Sequence, residues 1–145
     1  MKDVDKAVSF FQNGLNCSQS MVATYGPRFG LETEIGIKLA SGLGGGLGRT
    51  GETCGAVTGS ILVLGLAFDS GRAGDKESKD RVAAKVREFL DRFCETNGTA
   101  RCRSLIQCDI STPEKSAEAK AKGVFDTICP KLIESAALIL EKMIP

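Results

Sequence analysis

The sequence predicts an all-α fold: a compact, single-domain helical bundle of about six to seven helices with one glycine-rich loop, spanning residues 1–145. Apolar residues recur at the three- and four-residue spacing of amphipathic helices, whereas alternating strand patterns are hard to find. Residues that start and stop helices flank these segments. With 145 residues, of which 42% are hydrophobic and 26% charged, the chain can bury one core without cross-links.

Three helices are predicted before the glycine-rich loop. Asp3 is expected to cap the first, which has Phe11 on its apolar face and Gly14 as its stop. Asn16 is expected to cap the second, which begins at Cys17. The predicted bounds of the three helices are Asp3 to Gly14, Cys17 to Tyr25 and roughly Glu32 to Ser41.

The glycine-rich loop covers residues 42–51 and contains six glycines. After it, Thr53 is expected to cap an apolar helix from Cys54 to Phe68. Within this helix Gly55 and Gly59 lie one turn apart, and small residues at that spacing allow a second backbone to approach closely. The loop fits the pattern G-x-G-x-x-G, but no strand precedes it. We therefore interpret it as a flexible, tightly packed loop and not as a dinucleotide site.

The C-terminal half begins with a long, polar-faced helix that is predicted from about Asp75 to Thr96. Thr99 is expected to cap a short helix that carries Cys102. A further helix is predicted from Ser111 to Gly123, because the proline and acidic residue that follow its start favour a first helical turn. The last helix is predicted to open at Cys129-Pro130 and to reach Met143.

Charge and composition exclude several classes of function. The net charge of +1 provides no field that would attract nucleic acid or an anionic membrane. The longest apolar run, Cys54 to Phe68, is too short and too rich in small residues to span a bilayer. The N-terminus enters a charged amphipathic pattern without a signal-peptide segment, so a cytoplasmic protein is expected. The chain has no histidine, which excludes catalytic triads based on histidine and mixed cysteine–histidine zinc sites.

The main chemical feature is a set of six cysteines: Cys17, Cys54, Cys94, Cys102, Cys108 and Cys129. In a reducing compartment, six cysteines favour metal binding or redox chemistry over structural disulfides. Four of them fall at predicted helix starts: Cys17, Cys54, Cys102 and Cys129. A helix N-terminus presents unpaired N–H groups and partial positive charge, which favour the thiolate. We therefore expect these four cysteines to converge on one electropositive site, with Arg49, Arg101 and Arg103 nearby to lower thiol pKa values further.

These residues also carry a resemblance to a known family. The segments Asn16-Cys17-Ser18-Gln19, Cys54-Gly55-Ala56-Val57-Thr58-Gly59, Cys102-Arg103-Ser104-Leu105 with Cys108-Asp109, and Cys129-Pro130 resemble the C_GCAxxG_C_C family, described as redox-active, over nearly the whole chain. The resemblance implies that the family's four signature cysteines are Cys17, Cys54, Cys102 and Cys129. Cys108 lies in a Cys-Asp stretch that some members share, and Cys94 has no assigned role. Where relatives often have Cys-Arg-Glu-Leu-Leu-Gly, this chain has Cys102-Arg-Ser-Leu-Ile-Gln107, so any role of that acid is absent.

Four thiols without histidine allow three kinds of centre. An iron–sulfur cluster uses four cysteine ligands, and a dithiol–disulfide couple uses an attacking and a resolving cysteine. We rank these two equally, and we place zinc behind them because the paired C-x₂₋₄-C spacing of zinc sites is missing. A metal would be held by the four signature cysteines, with Cys108 as a further candidate ligand. Gly55, Ala56 and Gly59 are the residues predicted to lie against a cofactor.

The sequence therefore predicts a redox-active or electron-transfer protein whose electron donor or acceptor is unknown. No nucleic-acid partner and no membrane span are expected. One rival interpretation is a non-enzymatic protein that binds zinc or another soft metal. A second rival is a structural helical module that forms a homodimer through the Gly55/Gly59 face.

Overall fold

A computed structural model describes all 145 residues, and it confirms the all-α fold. It contains nine helical segments, of which seven have eight or more residues. They are α1 (Asp3–Gln12), α2 (Cys17–Tyr25), α3 (Thr33–Ala40), α4 (Gly55–Phe68), α5 (Lys76–Asn97), α6 (Cys102–Ile106), α7 (Pro113–Ala121), α8 (Val124–Thr127) and α9 (Cys129–Glu141). Short 3₁₀ turns follow α2 at Gly26–Phe29 and α3 at Ser41–Leu43. No helix combines the length and the apolar character that a membrane crossing needs.

Several helix starts follow the local chemistry of the sequence. Asn16 and Gln19 form a reciprocal capping box: the Asn16 side chain accepts from the Gln19 N–H, and the Gln19 side chain accepts from the Asn16 N–H, each at 2.9 Å. The Asp75 side chain accepts from the Ser78 N–H at 3.1 Å at the start of α5. Thr112 caps α7 in the same way. These caps account for the agreement between the predicted and observed starts of α2, α5 and α7.

Three other expected caps were wrong. Asp3 is the first residue of α1 and is not its cap, and Thr99 does not cap α6, which begins at Cys102. Thr53 forms an isolated antiparallel bridge with Arg101, so Cys54 itself is the N-cap of α4. Thr53 does not cap the helix because its backbone pairs with a distant loop segment. A local sequence pattern does not reveal such a pairing.

The bundle centres on the packing of α2 against α4, with α1, α3, α5 and α9 around them. A Cβ atom at Gly59 would lie 2.7 Å from the Ser18 carbonyl oxygen and 2.9 Å from the Ser18 Cα, so only glycine permits this approach. The Gly55/Gly59 face thus packs on α2 within the same chain and is not open to a second copy. The main core fills the rest of the bundle with large, fully buried side chains that include Tyr25, Phe89, Phe93, Leu64 and Ile133.

A second, smaller apolar cluster joins the C-terminal segments. Its buried members are Cys102, Ile106, Ile110 and Ala119, and Cys108, Phe125 and Cys129 pack against it. This cluster holds α6, α7, α8 and the start of α9 together beside the main core. Two cysteines that are distant in sequence, Cys102 and Cys129, are thereby brought into one neighbourhood.

The glycine-rich loop has an unusual backbone. Five consecutive residues, 45–49, have φ angles between 61° and 71°, and two of them, Leu47 and Arg49, are not glycine. Residues with a Cβ atom rarely adopt this left-handed conformation. Backbone hydrogen bonds close the loop, including Gly48 N–H to Gly42 O at 2.9 Å and Glu52 N–H to Gly46 O at 2.8 Å. The loop is therefore ordered by its own backbone.

Candidate redox site

Cys17 is placed by the capping box at the start of α2, where it is the first helical residue. The side chains on either side of it anchor this turn to the end of α3. The Ser18 hydroxyl donates to the Ala40 carbonyl at 2.7 Å, and the Asn16 amide donates to the Ser41 carbonyl at 3.0 Å. Ser18 is fully buried, so these bonds fix the position of the Cys17 sulfur relative to the loop that follows α3.

Cys54 and Cys102 are held side by side by backbone pairing around the Thr53–Arg101 bridge. The Cys54 N–H donates to the Ala100 carbonyl at 2.7 Å, and the Cys102 N–H donates to the Glu52 carbonyl at 2.6 Å. Cys54 is the N-cap of α4 and Cys102 is the first residue of α6, so the N-terminal turns of the two helices lie next to each other. Cys129 begins α9 directly before Pro130 and completes the set.

Two glycines allow backbone to lie directly against these cysteines. A Cβ atom at Gly55, the residue after Cys54, would overlap the Cys17 sulfur. A Cβ atom at Gly46 would lie 2.7 Å from the Cys102 Cβ and 2.5 Å from the Glu52 nitrogen. Gly55 and Gly46 therefore occupy positions at this site where no side chain fits.

The four predicted cysteines all line one open cavity of about 790 Å³. Its wall is completed by apolar side chains that include Phe11, Ile106, Ile110, Phe125 and Leu132. Three charged residues, Arg49, Lys120 and Asp126, also line it. Cys94 and Cys108 do not belong to the lining. A cavity of this volume is typical of sites for small molecules.

The other predicted residues divide between the cavity and the core. Gly55 lines the cavity, whereas Ala56 is fully buried in the core and Gly59 faces Ser18 and Met21 on α2. Arg101 and Arg103 form ion pairs with Glu52 at 3.8 Å and with Asp109 at 3.1 Å, outside the cavity lining. Of the three arginines expected near the cysteines, only Arg49 lines the cavity.

The electrostatic part of the sequence prediction was wrong, because burial raises the pKa of all four cavity thiols. The pKa of Cys102 rises from an ordinary value of 9.0 to about 11, and that of Cys129 to about 12. Removal of a thiolate from water outweighs the favourable field of a helix N-terminus. The four cavity cysteines are therefore protonated at neutral pH.

Of the four thiols, Cys17 has the most backbone N–H groups that oppose the effect of burial on the pKa. N–H groups of Gly45 and Gly55, and of the first turn of α2, point to its sulfur and lower its pKa, although burial still raises the pKa overall. Cys17 also lies close to each of the other three. The charge of a Cys17 thiolate raises the pKa of Cys54, Cys102 and Cys129. Cys102 interacts in the same way with Cys17, Cys54 and Cys129, so the four thiols form one group, in which Cys17 is distinguished by the N–H groups around its sulfur.

The side chains around the cavity do not form a metal site. No group of three or more Cys, His, Asp or Glu side chains is placed to hold a metal ion. The cysteines line the cavity wall without closing on a single point, so a four-cysteine zinc site does not fit this arrangement.

Sequence reasoning missed part of the site. Phe11 and Phe125 pack against the two apolar clusters and also form part of the cavity wall, a second role that a sequence pattern does not distinguish from core packing. Lys120 and Asp126 carried no signal, since an exposed charge on a helix is the usual case in any soluble protein.

Comparison with known proteins gives one positive result. The family model described as "Putative redox-active protein (C_GCAxxG_C_C)" matches residues 15–143, which include all six cysteines. No curated protein and no solved structure shows a significant match to the chain. The match extends over nearly the full length, and its cysteine landmarks are the ones that meet at the cavity. The chain belongs to the C_GCAxxG_C_C family of redox-active proteins.

Proposed function

We propose that this protein performs thiol–disulfide redox chemistry in the cavity, with Cys17 as the attacking thiol and Cys54 as the resolving thiol. The observation that carries the proposal is the surroundings of the Cys17 sulfur, which faces several backbone N–H groups and lies in one group with the other three cavity cysteines. An attacking thiol must ionise transiently, and N–H groups that point to sulfur stabilise the thiolate. Family membership supports a redox role in general.

Cys54 is the favoured partner because its neighbour Gly55 lies directly against the Cys17 sulfur. After burial, the charge of Cys17 is the largest influence on the pKa of Cys54, as it also is for Cys102 and Cys129, so the contact of Gly55 is what distinguishes Cys54. A disulfide between two residues requires their Cβ atoms to approach within about 4.5 Å. Cys102 and Cys129 are then the next thiols available for exchange with this pair.

The reaction consumes a disulfide R–S–S–R and is balanced in two steps. The Cys17 thiolate attacks one sulfur, forms a mixed disulfide and releases one R–S⁻, which takes up a proton. The Cys54 thiolate then attacks the Cys17 sulfur and displaces the second R–S⁻. The products are a Cys17–Cys54 disulfide and two R–SH molecules, so two electrons pass from the protein to the reagent.

A second candidate function is electron transfer by an iron–sulfur centre. It is favoured by the chemistry of the donor set, which consists of four thiols and no histidine around one cavity. It is opposed by the arrangement of the cysteines, which brings no three of them to one metal ion. We therefore rank it second, and zinc or soft-metal binding third.

The test is a thiol count and a metal analysis on anaerobically purified protein before and after treatment with a small disulfide. We expect metal-free protein that loses two thiols, with a Cys17–Cys54 disulfide identified by mass spectrometry. Cys17→Ser should abolish this oxidation. Cys94→Ser is the matched control, because Cys94 is half-buried on α5 and does not line the cavity. Brown protein with stoichiometric iron, or a disulfide that omits Cys17, would overturn the proposal.

A further inference from the structure

The charges of the residues that line the cavity do not cancel. Arg49 and Lys120 are cationic and Asp126 is anionic, and all three are exposed to solvent while lining the cavity. None of them takes part in an ion pair or a side-chain hydrogen bond. Two cations and one anion leave the cavity with a net positive charge that no other side chain neutralises. A positive cleft raises the local concentration of anionic reactants.

Arg49 belongs to the Cys17 end of the cavity. A Cβ atom at Gly45 would lie 2.8 Å from Arg49 Cγ and 2.9 Å from Arg49 Cα, so the arginine packs directly on Gly45. The N–H of Gly45 points to the Cys17 sulfur. Gly45 therefore lies between the aliphatic part of the Arg49 side chain and the Cys17 sulfur.

The backbone of Arg49 is also specialised. Its φ of 64° is left-handed, a conformation that costs on the order of 1 kcal/mol or more for a residue with a side chain. Asparagine or glycine would adopt this conformation more readily. The loop thus holds a large cationic side chain at a strained position beside the cavity.

Asp126 is the one carboxylate in the cavity lining. It lies on α8, three residues before Cys129, and its negative charge raises the pKa of that thiol. Of the charged residues that line the cavity, Arg49 is therefore the one placed beside Cys17. An anionic reactant that pairs with Arg49 lies next to that thiol.

On the basis of the proposed function, we propose that the physiological reactants are small disulfides that carry carboxylate groups, and that Arg49 positions them for attack by Cys17. The cavity of about 790 Å³ accommodates such a molecule, and its apolar wall suits the methylene groups between sulfur and carboxylate. The reagent is reduced to two carboxylate-bearing thiols while Cys17 and Cys54 are oxidised to a disulfide. Arg49 pairs with a carboxylate and takes no part in the bond changes, so it is a positioning residue.

The test measures the rate of protein oxidation by three disulfides of different charge: anionic dithiodipropionate, neutral hydroxyethyl disulfide and cationic cystamine. Each rate is divided by the rate of the same reagent with a free small thiol, which removes differences in intrinsic reactivity. At low ionic strength we expect the anionic reagent to be about threefold to tenfold faster than the neutral one, and the cationic reagent slower. High salt should reduce these differences.

Variants separate a charge effect from a structural one. Arg49→Gln should lower the rate of the anionic reagent relative to the neutral one until the two relative rates match, whereas Arg49→Lys should retain most of the preference. Arg87→Gln is the matched control, because Arg87 is exposed on α5, forms no ion pair and does not line the cavity. Equal relative rates for all three reagents in the unmodified protein would overturn the proposal, as would equal losses for all three in Arg49→Gln. If the neutral reagent also fails to oxidise Cys17, the proposed function itself fails and this inference fails with it.

Discussion

Replacement of Gly59 by alanine tests the close contact between α2 and α4. The new Cβ atom would lie 2.7 Å from the Ser18 carbonyl oxygen and 3.0 Å from the Met21 Cβ. Both distances are shorter than normal contacts, and the first involves backbone, so the two helices must separate. Gly65→Ala in the same helix is the matched control, because a Cβ atom there has no neighbour within 4 Å.

The magnitudes follow from two opposing effects. Alanine in place of glycine inside a helix gains about 1 kcal/mol in helix propensity at either position. Overpacking of a tight contact costs about 1–3 kcal/mol, and the backbone clash at Gly59 places it at the upper end of that range. We expect Gly59→Ala to lower the free energy of unfolding by about 1–2 kcal/mol and Gly65→Ala to raise it by about 0.5–1 kcal/mol.

For a chain of 145 residues, 1 kcal/mol corresponds to a shift of about 3 °C in Tm. Gly59→Ala should therefore unfold about 3–6 °C below the unmodified protein, and Gly65→Ala about 1.5–3 °C above it. Thermal unfolding followed by circular dichroism in the presence of a reductant measures both. A Gly59→Ala protein as stable as Gly65→Ala would refute the close-packing argument.

Three further predictions concern the cysteines. Alkylation of Cys129, followed by peptide mass spectrometry, should accelerate about tenfold per pH unit up to its pKa of about 12, whereas a free small thiol should reach its plateau near pH 9. The pKa of Cys102 is raised in the folded protein, so above pH 9.0 the unfolded chain loses this proton more readily than the folded one. The contribution of Cys102 to the free energy of unfolding should therefore be constant below pH 9.0 and fall by about 1.4 kcal/mol per pH unit from there to about pH 11. Denaturant titrations at a series of alkaline pH values should show this loss, and Cys102→Ala should show a shallower one. Gly55→Ala would displace the Cys17 sulfur and should therefore slow the oxidation of Cys17. Because this sulfur is the end of a side chain and can move, the Tm should fall by less than in Gly59→Ala. An unchanged oxidation rate would contradict the assigned role of Gly55.

The sequence predicted those parts of the fold that depend on local chemistry. The Asn16 capping box, the Asp75 cap and the Thr112-Pro113 start each involve residues within one helical turn, so they were recognisable without coordinates. The bridge between Thr53 and Arg101 joins residues that are far apart in sequence, and neither segment contains a local pattern that predicts it. The short helix α8 was missed because four residues are too few to show a helical period.

The position of the cysteines at helix starts was predictable, but their protonation state was not. The field of a helix N-terminus contributes at most about 2 kcal/mol. A rise in pKa from 9.0 to about 11, as at Cys102, corresponds to about 2.7 kcal/mol against the thiolate. Burial depends on which helices pack over each sulfur, and a single sequence does not contain that information.

The packing of α9 on α1 has a consequence for how the protein matures. Cys129 and the helix it begins are synthesised after Cys17 and Cys54, and Ile133 and Leu140 of that helix belong to the same core as Ala7 of α1. Until α9 docks, the sulfurs of Cys17 and Cys54 belong to a nascent chain, in which water solvates them and their acidity is ordinary. Docking of α9 therefore makes these thiols less reactive, because the folded molecule buries sulfur that the growing polypeptide leaves open to oxidants.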